Sequence, residues 1–85
     1  GKTFSLKEGN NSLGRDAGNE IVIGDPAVSR DHCVLRKDGG RVTVHDLAST
    51  SGTMVDGQEI RGRELTSDDT ITVGQTEMAF VQIAA

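Results

Sequence analysis

Aromatic side chains are nearly absent from this chain: of 85 residues two are Phe, and there is no Trp and no Tyr. It therefore lacks the stacking platforms on which single-strand binders lay nucleic-acid bases. Cysteine occurs once, as Cys33, so no intrachain disulfide forms and a zinc knuckle lacks its ligands. Proline also occurs once, at Pro26. No apolar run approaches the roughly 18 residues of a membrane span, and no signal-peptide core is visible. Nine Lys and Arg face 13 Asp and Glu, a formal net charge of −4, the wrong balance for a general nucleic-acid binder. What remains is a single domain over residues 1–85 with a modest core that suffices without staples. The chain opens on Gly1 rather than Met and reads as a domain excised from a longer protein. An unpaired cysteine without targeting segments fits a reducing, cytoplasmic setting.

Glycine, by contrast, is abundant: 11 of 85 residues against an average near ~7%. The glycines are scattered, as turn punctuation is, and not gathered as a linker would gather them. Between them run short segments rich in Val, Ile and Thr: 3–6, 11–14, 20–23, 32–36, 41–46, 53–55, 58–60, 70–73 and 77–83. In the segment from Arg41 to Asp46, Val42 and Val44 fall on one face and Thr43 and His45 on the other. Turn signals separate the segments, among them Asp38-Gly39-Gly40, Asp56-Gly57 and Gly74-Gln75. No window repeats apolar residues at helical spacing. The expectation is an all-β sandwich of about ten or eleven short strands in two sheets, with binding loops at one end. The expected core is Phe4, Leu6, Leu13, Ile21, Ile23, Cys33, Leu35, Val42, Val44, Leu47, Val55, Ile60, Leu65, Ile71, Val73, Met78 and Phe80.

Three loops concentrate polar residues beside glycine: Gly14-Arg15-Asp16, the stretch from Asp25 to His32, and the stretch from Asp46 to Gly57. Gly-Arg, then Ser29-Arg30-Asp31-His32, then Asp46-Leu47-Ala48-Ser49-Thr50-Ser51-Gly52-Thr53, then Leu65 to Gly74 resembles the signature of the forkhead-associated (FHA) domain. The resemblance runs from Leu13 to Phe80 and implies a β-sandwich that binds phosphothreonine peptides in preference to phosphoserine ones. Four positions depart from the family pattern: Ala48 and Asp68 stand where it has Gly, and Ser51 and Asp56 where it has Asn. The changes at 48, 56 and 68 are tolerable turn substitutions, Asp accepting left-handed backbone better than most residues. Ser51 matters more. In the family the Asn amide holds the peptide backbone, and a hydroxyl is shorter with a single donor.

A phosphothreonine brings nearly two negative charges and three strong acceptor oxygens, so its site needs a fixed cation and converging donors. Arg15 supplies a planar fork that engages two oxygens. Ser29 and Thr50 supply hydroxyls, and Arg30 a backbone N–H or a second cation. Ser51 stands as a peptide contact. By the resemblance, His32 braces the binding loop, and Gly14 and Gly52 support it through backbone conformation. Three or four charge-assisted hydrogen bonds of about 1.5–3 kcal/mol each, less the costs of association, correspond to micromolar or sub-micromolar peptide affinity. Pro26 stiffens the second loop. Arg61 and Arg63 form a solvated rim, and Cys33 a small buried apolar residue.

The partner implied is a phosphothreonine-containing protein, or another segment of the same chain, with a Ser/Thr kinase upstream. No nucleic acid, membrane insertion, metal or cofactor is expected, and no enzymatic activity. Two other classes compete with this one. A phospho-independent assembly module of the same fold is motivated by Ser51. A small hydrolase built on Ser29 and His32 lacks a nucleophile elbow and a walled pocket.

Overall fold

Alternation places the strands. Along Arg41–Asp46, Val42 and Val44 are buried while Arg41 and His45 are exposed, the period-two pattern of a strand with one wet face. The computed structural model describes residues 2–83, and among them nine strands form and no helix. They are β1 (Gly9–Gly14), β2 (Ile21–Val22), β3 (Cys33–Asp38), β4 (Arg41–Asp46), β5 (Thr53–Val55), β6 (Gln58–Ile60), β7 (Gly62–Glu64), β8 (Thr70–Val73) and β9 (Thr76–Ala79). A five-stranded sheet has the order β2-β1-β3-β4-β7 and a four-stranded sheet the order β6-β5-β8-β9. All pairings are antiparallel except β1 with β2.

Turn chemistry sets the register of the hairpins. Asp56 and Gly57 both have positive φ, 50° and 82°, the pair of left-handed residues a two-residue hairpin loop needs between Val55 and Gln58. Gly39 and Gly74 take positive φ at the first loop position of the β3–β4 and β8–β9 hairpins.

The core lies between the sheets. Leu13, Cys33, Leu35, Val42 and Val44 come from the larger sheet, Val55, Ile71 and Val73 from the smaller, and Ile23, Val28, Leu65 and Phe80 from connecting segments. The buried polar groups are all satisfied. Asn11 accepts from the Lys7 N–H at 3.0 Å and donates to the Leu35 carbonyl at 3.1 Å. Asp69 accepts from the Thr66 N–H at 2.8 Å and lies 3.7 Å from Arg63. Among the described residues no buried side-chain N or O is left without a partner.

The fold class agrees with the sequence reading, with corrections at the margins. Residues 3–6 are not in a strand, although Thr-Phe-Ser-Leu alternates: no neighbouring strand edge pairs with them. Phe4 is accordingly 37% exposed. Leu47, expected in the core, is 46% exposed because it follows the last paired residue of β4. The last strand ends at Ala79 and not at Ile83, and β7 is an addition to the expected segments; the described residues hold nine strands where about ten or eleven were expected. Val28, absent from the expected core, is buried to 1% exposure.

Candidate functional site

The end of β1, the start of β3, the end of β4 and the start of β5 all reach the same end of the sandwich. The loops they carry enclose a depression of about 270 Å³ lined by Arg15, Pro26, Ala27, Val28, Ser29, Thr50 and Ser51. Arg15, Ser29, Thr50 and Ser51 are thus brought together. Arg30 does not line the depression: its side chain is exposed, and its carbonyl accepts from the Asp16 N–H at 3.2 Å and the Asn19 amide at 2.7 Å.

Two bonds fix Arg15. Its N–H donates to the Ser29 carbonyl at 2.9 Å, and its side-chain Nε donates to the Val28 carbonyl at 3.0 Å. With Nε engaged, the guanidinium plane is set and its two terminal amino groups remain as donors. Gly14, just before it, has no alternative. A Cβ there would collide with the Arg30 carbonyl and stand 2.7 Å from the Asn19 amide nitrogen.

His32 is the hinge of the arrangement, fully buried. The Ser29 N–H donates to its Nδ1 at 3.0 Å, so Nε2 carries the proton and donates to the Gly52 carbonyl at 2.8 Å. One neutral ring therefore ties the second loop to the third. His32 meets the backbone N–H of Ser29 and not its hydroxyl, so it has no path to act as that hydroxyl's base.

Cross-braces between the loops complete the frame. The Thr50 N–H donates to Ser29 Oγ at 2.9 Å, which leaves the Ser29 hydroxyl proton and the Thr50 side chain as donors toward the depression. Ser51 Oγ donates to the Ala27 carbonyl at 2.8 Å, so its one proton is already engaged within the protein. Gly52 has φ +84°, and a Glu59 carboxylate oxygen lies 2.9 Å from where its Cβ would stand.

Four supporting residues escaped the sequence reading. Asp46 accepts from the Ser49 N–H at 3.1 Å and from the Thr53 hydroxyl at 2.7 Å, as well as from the Ser49 hydroxyl. Burial alone would raise its carboxyl. Hydrogen bonds from Ser49 and Thr53 outweigh that and hold it below the ordinary carboxylate value. Ser49 in turn accepts from the Gly52 N–H at 3.0 Å. Asp25 accepts from the Ala27 N–H at 2.9 Å, the Gln75 N–H at 2.7 Å and the Thr76 hydroxyl at 2.9 Å, pinning the second loop to the β8–β9 turn. The Ala27 and Gln75 N–H bonds and the Thr76 bond lower its carboxyl. Asp25-Pro26-Ala27 and Asp46-x-x-Ser49 are turn signatures of an Asp that bonds backbone two or three residues on, so these two were open to sequence reasoning. Asn19 carries no local signal. Among the described residues no group of three His, Cys, Asp or Glu is placed to hold a metal ion.

Comparison with known proteins gives the following. Residues 1–84 match a family described as the inner membrane component of T3SS, cytoplasmic domain. The chain is 36% identical over 78 residues to the FHA domain-containing protein FhaA of Mycobacterium tuberculosis, covering 92% of this chain and 15% of that protein. It is 31% identical over 81 residues to the glycogen accumulation regulator GarA of Mycolicibacterium smegmatis, covering 95% of this chain and 51% of that one. The chain thus spans between about a seventh and about half of these relatives' lengths. A structure solved in a study of phosphothreonine-dependent FHA domain interactions superposes with a TM-score of 0.98 at 33% identity, over 100% of this chain and 88% of that one.

Proposed function

This chain belongs to the forkhead-associated domain family and to the family of T3SS inner membrane component cytoplasmic domains, and from that premise we propose that it reads phosphothreonine in a partner protein. The observation that carries the reading is Arg15, locked through Nε to Val28 and opening onto a depression that also receives Ser29 and Thr50. One amino pair and two hydroxyls converge on a space of about 270 Å³, suited to a dianion with three acceptor oxygens. Because the frame is braced by His32, Asp46 and Asp25, little ordering is left to be done on binding. The ligand is a phosphothreonine segment of a partner or of the parent chain, written by a Ser/Thr kinase. The domain acts by binding and not by catalysis, in a cytoplasmic setting. Among the described residues no helix is long and apolar enough to cross a membrane.

A second reading, phospho-independent assembly, has two observations behind it: the match to a secretion-apparatus component and a Ser51 hydroxyl already bonded to Ala27.

One titration separates them: an oriented phosphothreonine peptide library, and its dephosphorylated counterpart, against the wild type and Arg15→Ala. Phospho-dependent binding that drops about 10- to 100-fold in the variant, the worth of one or two charge-assisted bonds, supports the phosphothreonine reader. Equal binding of both libraries, or indifference to Arg15→Ala, overturns it in favour of assembly.

A further inference from the structure

Glu59 lies on β6, outside the depression, and one of its carboxylate oxygens lies 2.9 Å from where a Cβ on Gly52, the residue after Ser51, would stand. Burial alternates along the neighbouring β5, with Thr53 and Val55 inside and Met54 half-exposed. Glu59 pairs with Met54, so it stands on the outer face of the smaller sheet, at the rim where the third loop turns into β5. Gly52 itself admits the carboxylate because it has no side chain, and its φ of +84° favours glycine independently.

Among the described residues no Lys or Arg lies within 4.0 Å of this carboxylate. The ion pairs of the described residues join Lys7 to Glu20, Lys37 to Glu8, Arg41 to Glu64, and Arg63 to Asp56 and Asp69. Glu59 is in none of them. Arg61, two residues along, is not within 4.0 Å of it either, and Arg15 is turned to Val28. The two other carboxylates built into the loop frame, Asp25 and Asp46, are saturated with hydrogen bonds. Asp16 and Asp31, in the first and second loops, are likewise outside these ion pairs; Glu59 is the one whose carboxylate lies against the third loop, at Gly52.

We propose that Glu59 is a charge filter for the peptide that the phosphothreonine site holds. A chain leaving the depression over Ser51 and Gly52 passes the carboxylate. A Lys or Arg there gains an ion pair, while an Asp, Glu or second phosphate is repelled. The ligand class is therefore a singly phosphorylated threonine segment with a basic residue adjacent on that side. The inference rests on the phosphothreonine reading, and it adds a preference that the phosphate contacts alone do not supply, since those carry no information about neighbouring residues.

The test measures ratios within each variant. Three phosphothreonine peptides, with Lys, Ala or Glu placed in turn at each flanking position, are titrated against wild type, Glu59→Gln, Glu59→Lys and Arg15→Ala. In the wild type the Lys peptide is expected to bind about two- to fivefold better than the Glu peptide at one flanking position, the worth of an exposed ion pair. Glu59→Gln should erase that ratio and Glu59→Lys invert it, a swing of about tenfold. Raising salt to ~0.5 M should compress the ratio. A ratio unchanged by both Glu59 variants, while Arg15→Ala abolishes binding, overturns the charge filter and leaves the phosphothreonine reading standing. If the folded wild type binds no phosphopeptide, both fall together. Glu59→Gln is isosteric at an exposed position, and unchanged thermal melting checks that a lost ratio is not lost fold.

Discussion

Ala48 has φ 54°, a left-handed conformation that a Cβ opposes by about 1–2 kcal/mol. Asp56 and Asp68 share the conformation at 50° and 78°, but a short polar side chain tolerates it and Ala has no such compensation. Ala48 also sits in the third loop, exposed, so nothing packs on its methyl group. Replacing it by Gly should stabilise the domain by about 1 kcal/mol, less the extra freedom Gly brings to the unfolded chain. For a domain of this size that net gain is a rise in Tm of up to about 4 °C by calorimetry; a fall would mean the methyl group has a contact worth more than the strain. At this scale the sequence was legible where one residue type meets one demand. Gly14 and Gly52 each occupy a backbone position where a Cβ meets other atoms, and Arg15, Ser29 and Thr50 reach one depression. Arg30 stands outside the depression with an exposed side chain and a bonded carbonyl, a placement that no local sequence pattern distinguishes from a depression-lining one. Asn19 was missed because its partner, the Arg30 carbonyl, is 11 residues away and no local pattern announces it.

The third loop is an element with a single organiser. Asp46 gathers Ser49 and Thr53, and Ser49 gathers Gly52, so the segment from β4 to β5 is a closed set of hydrogen bonds around one carboxylate. Because the carboxyl of Asp46 is held below its ordinary value of 3.8, the ionised form is favoured in the fold. Its stabilising contribution is then complete above the ordinary value and is lost as pH falls through the lower folded value. Thermal melts from pH 7 to pH 2.5 should therefore show Asp46→Asn less stable by about 1–3 kcal/mol near neutrality, from donors left unmatched. The gap to wild type should narrow below pH 3.8. A constant gap would separate the acid sensitivity from Asp46 and leave it to Glu8, Asp25 and Asp56, which are lowered as well. Elements were legible where alternation and turn residues agree, as in β4 and the Asp56-Gly57 hairpin. They misled where alternation stands alone. Residues 3–6 alternate as well as any strand, yet strandhood needs a paired neighbour, and pairing is a property of the fold that no local window contains.

Across the whole molecule, the binding end and the core meet at β3. His32, which ties the loops, is followed at once by Cys33 in the sandwich interior, so loosening of the loops and loosening of the core are mechanically adjacent. Ligand binding should respond to the charge of the phosphate it engages. Affinity for a phosphothreonine peptide is expected to fall as pH drops below about 6, the second phosphate pKa, and to weaken as salt rises past ~0.15 M. Calorimetric titration at pH 7.5 and pH 5 and at two salt concentrations checks both, and an affinity flat in each would mean that a phosphate dianion is not what is bound.

Burial pushes the Cys33 thiol up to about 12, and it is the only thiol in the chain. The chain therefore carries its own clock. A thiol-specific reagent at pH 8 has essentially no thiolate to attack while the sandwich is shut, so the labelling rate counts openings and not encounters. A ligand that binds only the closed form slows those openings by the factor one plus its concentration over its Kd, about 100-fold at ~100 Kd. Reading the clock with and without phosphopeptide thus measures affinity without a dye or an immobilised partner. Labelling as fast as a free thiol would show that the β3 end of the sandwich breathes on its own.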